Sequence, residues 1–183
     1  EMSHVYFNPF VIQSSNGAKV PAKILPATDM DIAETHSQPL WQTDWDSAYL
    51  QNDAIQKYAL KTAEDELVAL GAYQISDHHA YVYIVYLESA PHSNPTITIE
   101  AERKYYGVGA AMIAFGIKYS IDHGCRGDVV FEAKTDALAQ HYAEDFHALP
   151  IPGASAAGPR RFMLADEDAW NLFSKYLSEE EPI

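Results

Sequence analysis

Cysteine is nearly absent. Cys125 is the only one in 183 residues, so no intrachain disulfide can form, which fits a reducing, cytoplasmic setting. At the end of an expected helix it reads as a small packing residue and not as a nucleophile. Basic side chains are also scarce, with 12 Lys and Arg against 26 Asp and Glu and a net charge of −14. Nucleic-acid binding depends on Lys and Arg neutralising phosphates, so no nucleic-acid partner is expected. Lys, Asp, Glu or His interrupts every apolar run before it could span a bilayer, and no membrane partner is expected. Glu1–Phe7 has no basic region ahead of an apolar stretch, so it does not read as a signal peptide. The adjacent His78 and His79 have no Cys or ordered His at ligand spacing, which favours a solvated turn and no metal. With no internal repeat and no dividing linker, residues 1–183 read as one domain. Residues 1–17 form an N-terminal arm and 179–183 an acidic tail.

Apolar residues are plentiful, at 48%, with 12% aromatic, enough for a packed core. The acidic surplus suits a cationic amine or a basic peptide, or serves solubility alone. Val5–Ile12 reads as extended, and Val20–Leu25 as a short strand between Pro21 and Pro26. Thr28 or Asp29 can cap a helix over Met30–Thr35. Ile55–Lys61 and Glu66–Ile75 read as strands joined by a polar turn at Thr62–Asp65. Ala80–Ser89 is the strongest strand pattern, apolar on both faces and therefore expected at the centre of a sheet. Ala90–Glu102 is irregular. A helix follows over Gly109–His123, apolar nearly all round and stopped by Gly124. Then come a strand at Asp128–Lys134, a helix at Asp136–Phe146, a loop at Pro150–Pro159 and a strand at Arg161–Leu164. A last helix, capped by Asp166, should carry Trp170, Phe173 and Leu177 on one face. The order is that of a mixed α/β (α+β) chain around a single, mostly antiparallel sheet flanked by helices.

Two stretches carry chemistry. Lys104-Tyr105-Tyr106-Gly107-Val108-Gly109-Ala110 puts a glycine turn directly before a helix, where unpaired N–H groups and the helix dipole favour phosphate. Trp41, Asp44 and Trp45 combine aromatic rings with a carboxylate. That pairing would suit an ammonium group, or the rings simply pack a loop onto the domain.

From about Val20 to Leu177 the chain resembles the GNAT superfamily of acyl-CoA-dependent N-acyltransferases. Lys104-Tyr105-Tyr106-Gly107-Val108-Gly109 fills that family's Gln/Arg-x-x-Gly-x-Gly/Ala signature, with Lys in the first place. The helix Thr135–Tyr142 matches the family's later tyrosine-bearing helix. Thr135 stands where many members carry Asn, the usual Gly-Phe after the tyrosine is missing, and Pro91–Arg103 looks like an insertion.

The resemblance implies acetyl-CoA as co-substrate and no metal. Its pyrophosphate would rest on the amides of Gly107, Val108, Gly109, Ala110 and Ala111, with Lys104 adding charge and Thr135 a further contact. Its pantetheine arm would run past the end of the Ala80–Ser89 strand, in a gap before Val129–Ala133. A backbone N–H near Glu88, Ser89 or Ala90 would polarise the thioester. Tyr142 takes the place of the acid that protonates the leaving thiolate. Glu88 is the first candidate for the base that deprotonates the amine, with Glu100 and Glu132 as rivals, and Trp41, Asp44 and Trp45 belong to the acceptor side. The implied activity is acetyl transfer to a primary amine of a small molecule or peptide by direct attack on the thioester. Many relatives are homodimers. The alternative is a non-catalytic acyl-CoA-binding or protein-interaction module on the same fold.

Overall fold

Val82–Ser89 lies where its apolar pattern demands, inside the sheet with a strand on either side. The computed structural model describes residues 4–152, 158 and 160–183. Readings that touch residues 1–3, and most of the Pro150–Pro159 loop, fall outside the described residues.

The chain begins with β1 (Tyr6–Phe7) and β2 (Phe10–Gln13), then β3 (Lys19–Pro26) and a short helix α1 (Asp29–Glu34). Thr28 starts α1 with a reciprocal capping box: its hydroxyl accepts from Asp31 N–H, and the Asp31 carboxylate accepts from Thr28 N–H. Such a cap contributes about 1 kcal/mol. A long irregular segment leads to β4 (Ile55–Thr62), β5 (Leu67–Ile75) and β6 (Val82–Ser89). The three form an antiparallel meander, turning at Asp65 and at His78–His79, all of positive φ.

The stretch between β6 and the glycine turn contains only short 3-10 turns before β7 (Tyr105–Tyr106). After it come α2 (Val108–Asp122), β8 (Val129–Ala133), α3 (Asp136–Asp145) and β9 (Leu149–Pro150). The chain ends with β10 (Arg160–Leu164), α4 (Asp166–Ser174) and β11 (Leu177–Ser178). The main sheet has the order β7-β2-β3-β4-β5-β6-β8-β10-β9, and β1 pairs separately with β11. Among the described residues only β6 and β8 pair in parallel, so the sheet is mixed and mostly antiparallel, as the sequence pattern requires.

Two cores lie on opposite faces of this sheet. On one face α2 is buried along nearly its whole length: Ala111, Met112, Ile113, Ala114 and Ile117 are at most 1% exposed. Full burial of each large aliphatic side chain contributes about 1.5–3 kcal/mol. The helix approaches the sheet closely because two glycines make room. A Cβ on Gly71 would stand 2.8 Å from Met112 Cε and from the Tyr73 ring, and one on Gly116 3.1 Å from Ile84 Cδ1. The Tyr73 hydroxyl, wholly buried, donates to Met112 O at 2.8 Å and fastens helix to strand. On the other face a smaller core gathers Trp41, Trp45, Leu50, Ile55, Leu70 and Ala90.

Within the stretch read as extended, β2 joins the main sheet and β1 pairs with β11. Two expectations change. Asp166 does not cap α4 but is its first residue, at φ 51° after Ala165. Trp170 is 54% exposed while Ala169, Leu172 and Phe173 are buried, and Leu177 lies beyond the helix in β11. A nine-residue helix ends too early for Leu177 to share the face assumed for it.

Candidate active site

The site is built where β6 and β8 part. They pair only at Val82–Val129 and Tyr83–Val130, although β6 runs on to Ser89 and β8 to Ala133. A bulge in β6 starts the divergence. Tyr73 faces Ile84 and Ala72 faces Tyr86, which leaves Val85 as the extra residue. A bulged strand bends and twists away from its neighbour. Side-chain alternation shifts accordingly. Val82, Ile84 and Leu87 pack with the α2 core, whereas Val85 and Tyr86 pack with the opposite one. Beyond Tyr83, β6 has no ladder partner on its β8 side, so backbone groups there are available to a ligand.

α2 aims its N-terminus at this opening. Met112 lies against Gly71, which pairs with Leu87, and Gly116 lies against Ile84, so the helix runs antiparallel to β6. Its first residues therefore reach the end of β6 that has left β8. Gly107 opens the helix at φ 75°, ψ 12°, a left-handed conformation that glycine adopts without strain, and no side chain caps it. Among the described residues the N–H groups of Val108, Gly109 and Ala110 have no partner, and the Ala111 N–H is taken by Gly107 O at 3.1 Å. Nothing lies within 4 Å of a Cβ built on Gly109. An uncapped helix start with open space above it fits a pyrophosphate, as coenzyme A would present.

Lys104 is turned elsewhere. Its ammonium pairs with Glu66, the residue just before β5, and the Tyr105 hydroxyl donates to the same carboxylate at 2.6 Å. Burial raises the Glu66 pKa, but Lys104 and Tyr105 outweigh it and hold the group below its usual value. His92 stands 4.0 Å from Glu66 and packs edge-on against the Tyr105 ring. Burial lowers the His92 pKa, against the pull of Glu66. A shallow depression of about 830 Å³ flanks this cluster, with Ser14, Ser15, Arg103 and Tyr106 in its wall. Through Tyr106 it borders the glycine turn.

Tyr142 lies on the other side of the fork. Its ring packs edge-on against Phe131, at 4.8 Å between centroids. Phe131 is the first β8 residue after the pairing with β6 ends. Burial raises the Tyr142 pKa, so the phenol stays protonated at neutral pH. Its hydroxyl has no hydrogen-bond partner among the described residues, yet it is not one of their sealed, unpaired atoms. Thr135 caps α3, its hydroxyl oxygen accepting from Leu138 N–H at 3.1 Å.

Glu88 is buried, with three donors on its carboxylate: Gln42 N–H at 2.6 Å, Thr43 N–H at 3.1 Å and Trp45 Nε1–H at 2.9 Å. Trp45 is wholly buried and Trp41 nearly so, while Asp44 is exposed. The N–H of Ala90 donates to Val68 O at 2.7 Å and is not free to polarise a ligand. Ser89 pairs with Ala69. Glu132 accepts from Tyr83 Oη–H at 2.8 Å and from Arg161 Nε–H at 3.1 Å. Glu100 lies in the wall of the shallow depression. Glu88 thus stands on the end of β6 that α2 approaches, Tyr142 packs on β8 through Phe131, and Lys104 is engaged by Glu66. Sequence reading missed Lys134, whose ammonium lies 5.4 Å from the centre of the Tyr86 ring, across the opening. Only the pairing of β6 with β8 brings those two together, and no spacing in the chain announces it.

No protein-family model matches the sequence, and no curated protein matches it either. Solved structures do match. A mutant of the spermidine N-acetyltransferase of Vibrio cholerae superposes with a TM-score of 0.57 at 11% identity, over 82% of this chain and 96% of that one. An acetyltransferase of the GNAT family from Staphylococcus aureus gives 0.52 at 10% identity, over 78% and 97%. This is the GNAT fold. At such identity the GNAT likeness covers architecture alone, and the residues must carry the chemistry. Among the described residues no three His, Cys, Asp or Glu side chains form a metal-binding group. No helix among them is long and apolar enough to cross a membrane.

Proposed function

We propose that this protein transfers an acetyl group from acetyl-CoA to a primary amine. The observation that carries the reading is the fork itself: a bulged central strand leaves its parallel neighbour where an uncapped glycine-led helix begins. Coenzyme A supplies the activated thioester. In this reading the N–H groups of Val108, Gly109 and Ala110 hold its pyrophosphate, and Gly109 leaves room for the oxygens to approach. The pantetheine arm follows the backbone of β6 where β8 has withdrawn. An N–H of β6 beyond the bulge then donates to the thioester carbonyl, where negative charge develops. This task moves from Ala90, whose N–H is occupied, to the unpaired stretch of β6. The Tyr142 hydroxyl, kept protonated by burial, gives its proton to the departing thiolate.

An amine acceptor accords with the net charge of −14, which draws cations toward the molecule. Spermidine, the substrate named for the Vibrio cholerae neighbour, belongs in the first panel of acceptors. The single buried thiol suits a cytoplasmic setting.

Calorimetry with coenzyme A, and thiol release from acetyl-CoA with a panel of amines, test the proposal. Wild type should bind and turn over. Tyr142→Phe should bind coenzyme A as wild type does, with turnover slowed by roughly 100-fold or more. Undiminished turnover would remove Tyr142 as the acid, and absence of coenzyme A binding would end the whole reading. Tight binding without turnover of any amine would leave a binding module.

A further inference from the structure

Glu88 is a buried carboxylate with no cation against it among the described residues. Its partners are neutral donors, and all of them come from residues 42–45. A carboxylate binds through acceptor sites only, and hydrogen bonds to an ionised group are the strong ones. Residues 41–46 have no helix or strand of their own. Besides Glu88, they are tied by Trp41 N–H to Thr35 O at 3.2 Å, Lys57 Nζ to Trp45 O at 3.4 Å, Thr96 Oγ1–H to the Gln42 side chain at 2.9 Å, Ser47 N–H to Asp44 O at 3.1 Å and Gln51 Nε2–H to Asp46 Oδ1 at 2.9 Å. The Trp45 ring meets Tyr86 edge-on at 6.5 Å, and Tyr49 meets the same ring at 6.4 Å. Tyr86 also carries Lys134 over its face. These groups form the wall of the fork on the side away from α2.

We infer that Glu88 is a positioning residue: its carboxylate latches residues 42–45 to the opened end of β6, and so builds the wall that receives the acceptor. This rests on the acyl-transfer reading above. A base needs a lone pair that reaches the amine nitrogen. In Glu88 three of about four acceptor sites already serve the loop, two on Oε1 and one on Oε2, and the group is buried. Without it, the amides of Gln42 and Thr43 and the indole N–H of Trp45 would lose their acceptor inside the protein, and the loop would loosen. The amine is deprotonated elsewhere, with water as the acceptor of the proton.

Glu88→Gln and Trp45→Phe test the latch from its two ends. Glutamine keeps the shape but turns an NH₂ toward an N–H; phenylalanine keeps a ring but removes the indole donor. With acetyl-CoA and an amine that wild type acetylates, each variant should raise the acceptor KM by about tenfold. Each should keep its turnover rate within about threefold of wild type, bind coenzyme A as wild type does, and retain the acidic limb of the kcat/KM profile. The double variant should be no worse than the weaker single one, because both cut one connection. The latch is overturned, and Glu88 becomes the base, if Glu88→Gln slows turnover by roughly 100-fold or more and loses the acidic limb while Trp45→Phe stays near wild type. An unchanged acceptor KM in both variants overturns it equally. If wild type acetylates no amine, the acyl-transfer reading fails separately. Hydrogen exchange then decides the latch: amides 42 and 43 should exchange faster in Glu88→Gln, and unchanged rates would reject it.

Discussion

Gly107 and Gly109 belong to one motif but answer to different constraints. Gly107 is needed by the backbone, since its φ of 75° strains any residue with a Cβ. Gly109 is helical and faces open space, so the fold alone does not require it. Gly109→Leu should therefore leave the melting temperature equal to or above that of wild type, because glycine costs a helix about 1 kcal/mol relative to good helix formers. Calorimetry should show its coenzyme A affinity falling at least tenfold, as a side chain occupies the space proposed for the pyrophosphate. A large loss of stability would mean that the space belongs to packing. The motif was legible in the chain because its spacing is local. The status of Lys104 was not. Its partner Glu66 lies 38 residues earlier, and only the fold brings the two together. The same holds for Glu88, which the sequence marks as a carboxylate on a greasy strand. Its three donors sit more than 40 residues away, so whether it is free or engaged cannot be read from neighbours.

At the scale of the element, β6 and α2 were readable in advance because each is apolar all round, and an element buried on every side must be central. The bulge at Val85 was not readable, since it adds one residue without any special residue type. Yet it opens the fork. Helices and strands with local caps, such as α1 behind Thr28, came within a residue or so of their observed bounds. α4 did not, because its packing face is set by its partner elements. The close approach of α2 to β5 makes a further prediction. Gly71→Ala would press a methyl into Met112 and Tyr73, and overpacking of this kind costs about 1–3 kcal/mol. Thermal unfolding should show the loss, with the helix start displaced and coenzyme A binding weakened as well. A melting temperature unchanged from wild type would show that Met112 can swing aside freely.

For the whole molecule, acid stability depends on two kinds of group. The His92 pKa is lowered in the fold, so the unfolded chain takes up a proton there first. Stability should fall as the pH drops below the ordinary histidine value of about 6.5. Asp31 is pushed up by burial but held down, on balance, by Lys61 at 2.7 Å and by Thr28. Together with Glu66, which is also lowered, it contributes stability that is present above the ordinary carboxylate range and lost as the pH falls through the folded values. Glu34 and Asp128 are raised chiefly by burial and act in the opposite sense, so they blunt the second loss. Melting temperatures measured near neutral pH, about one unit below the ordinary histidine value, and within the ordinary carboxylate range should decline in two stages. His92→Gln should flatten the first stage and leave the second. A first stage of the same size in that variant would assign it to another group.

Pairing of Tyr6 with Ser178 and Phe7 with Leu177 has a consequence for the chain as a loop. Phe7 also stacks on Phe173, and Asn8 bonds to Ser178 and to the backbone of Glu180. Two strands of two residues each are thus held by aromatic packing at the base of α4, and α4 in turn covers α2. The seam behaves as a zip with one slider. Trimming either strand undresses the other, and the first surface laid bare is the back of the helix whose front end is the proposed coenzyme A site.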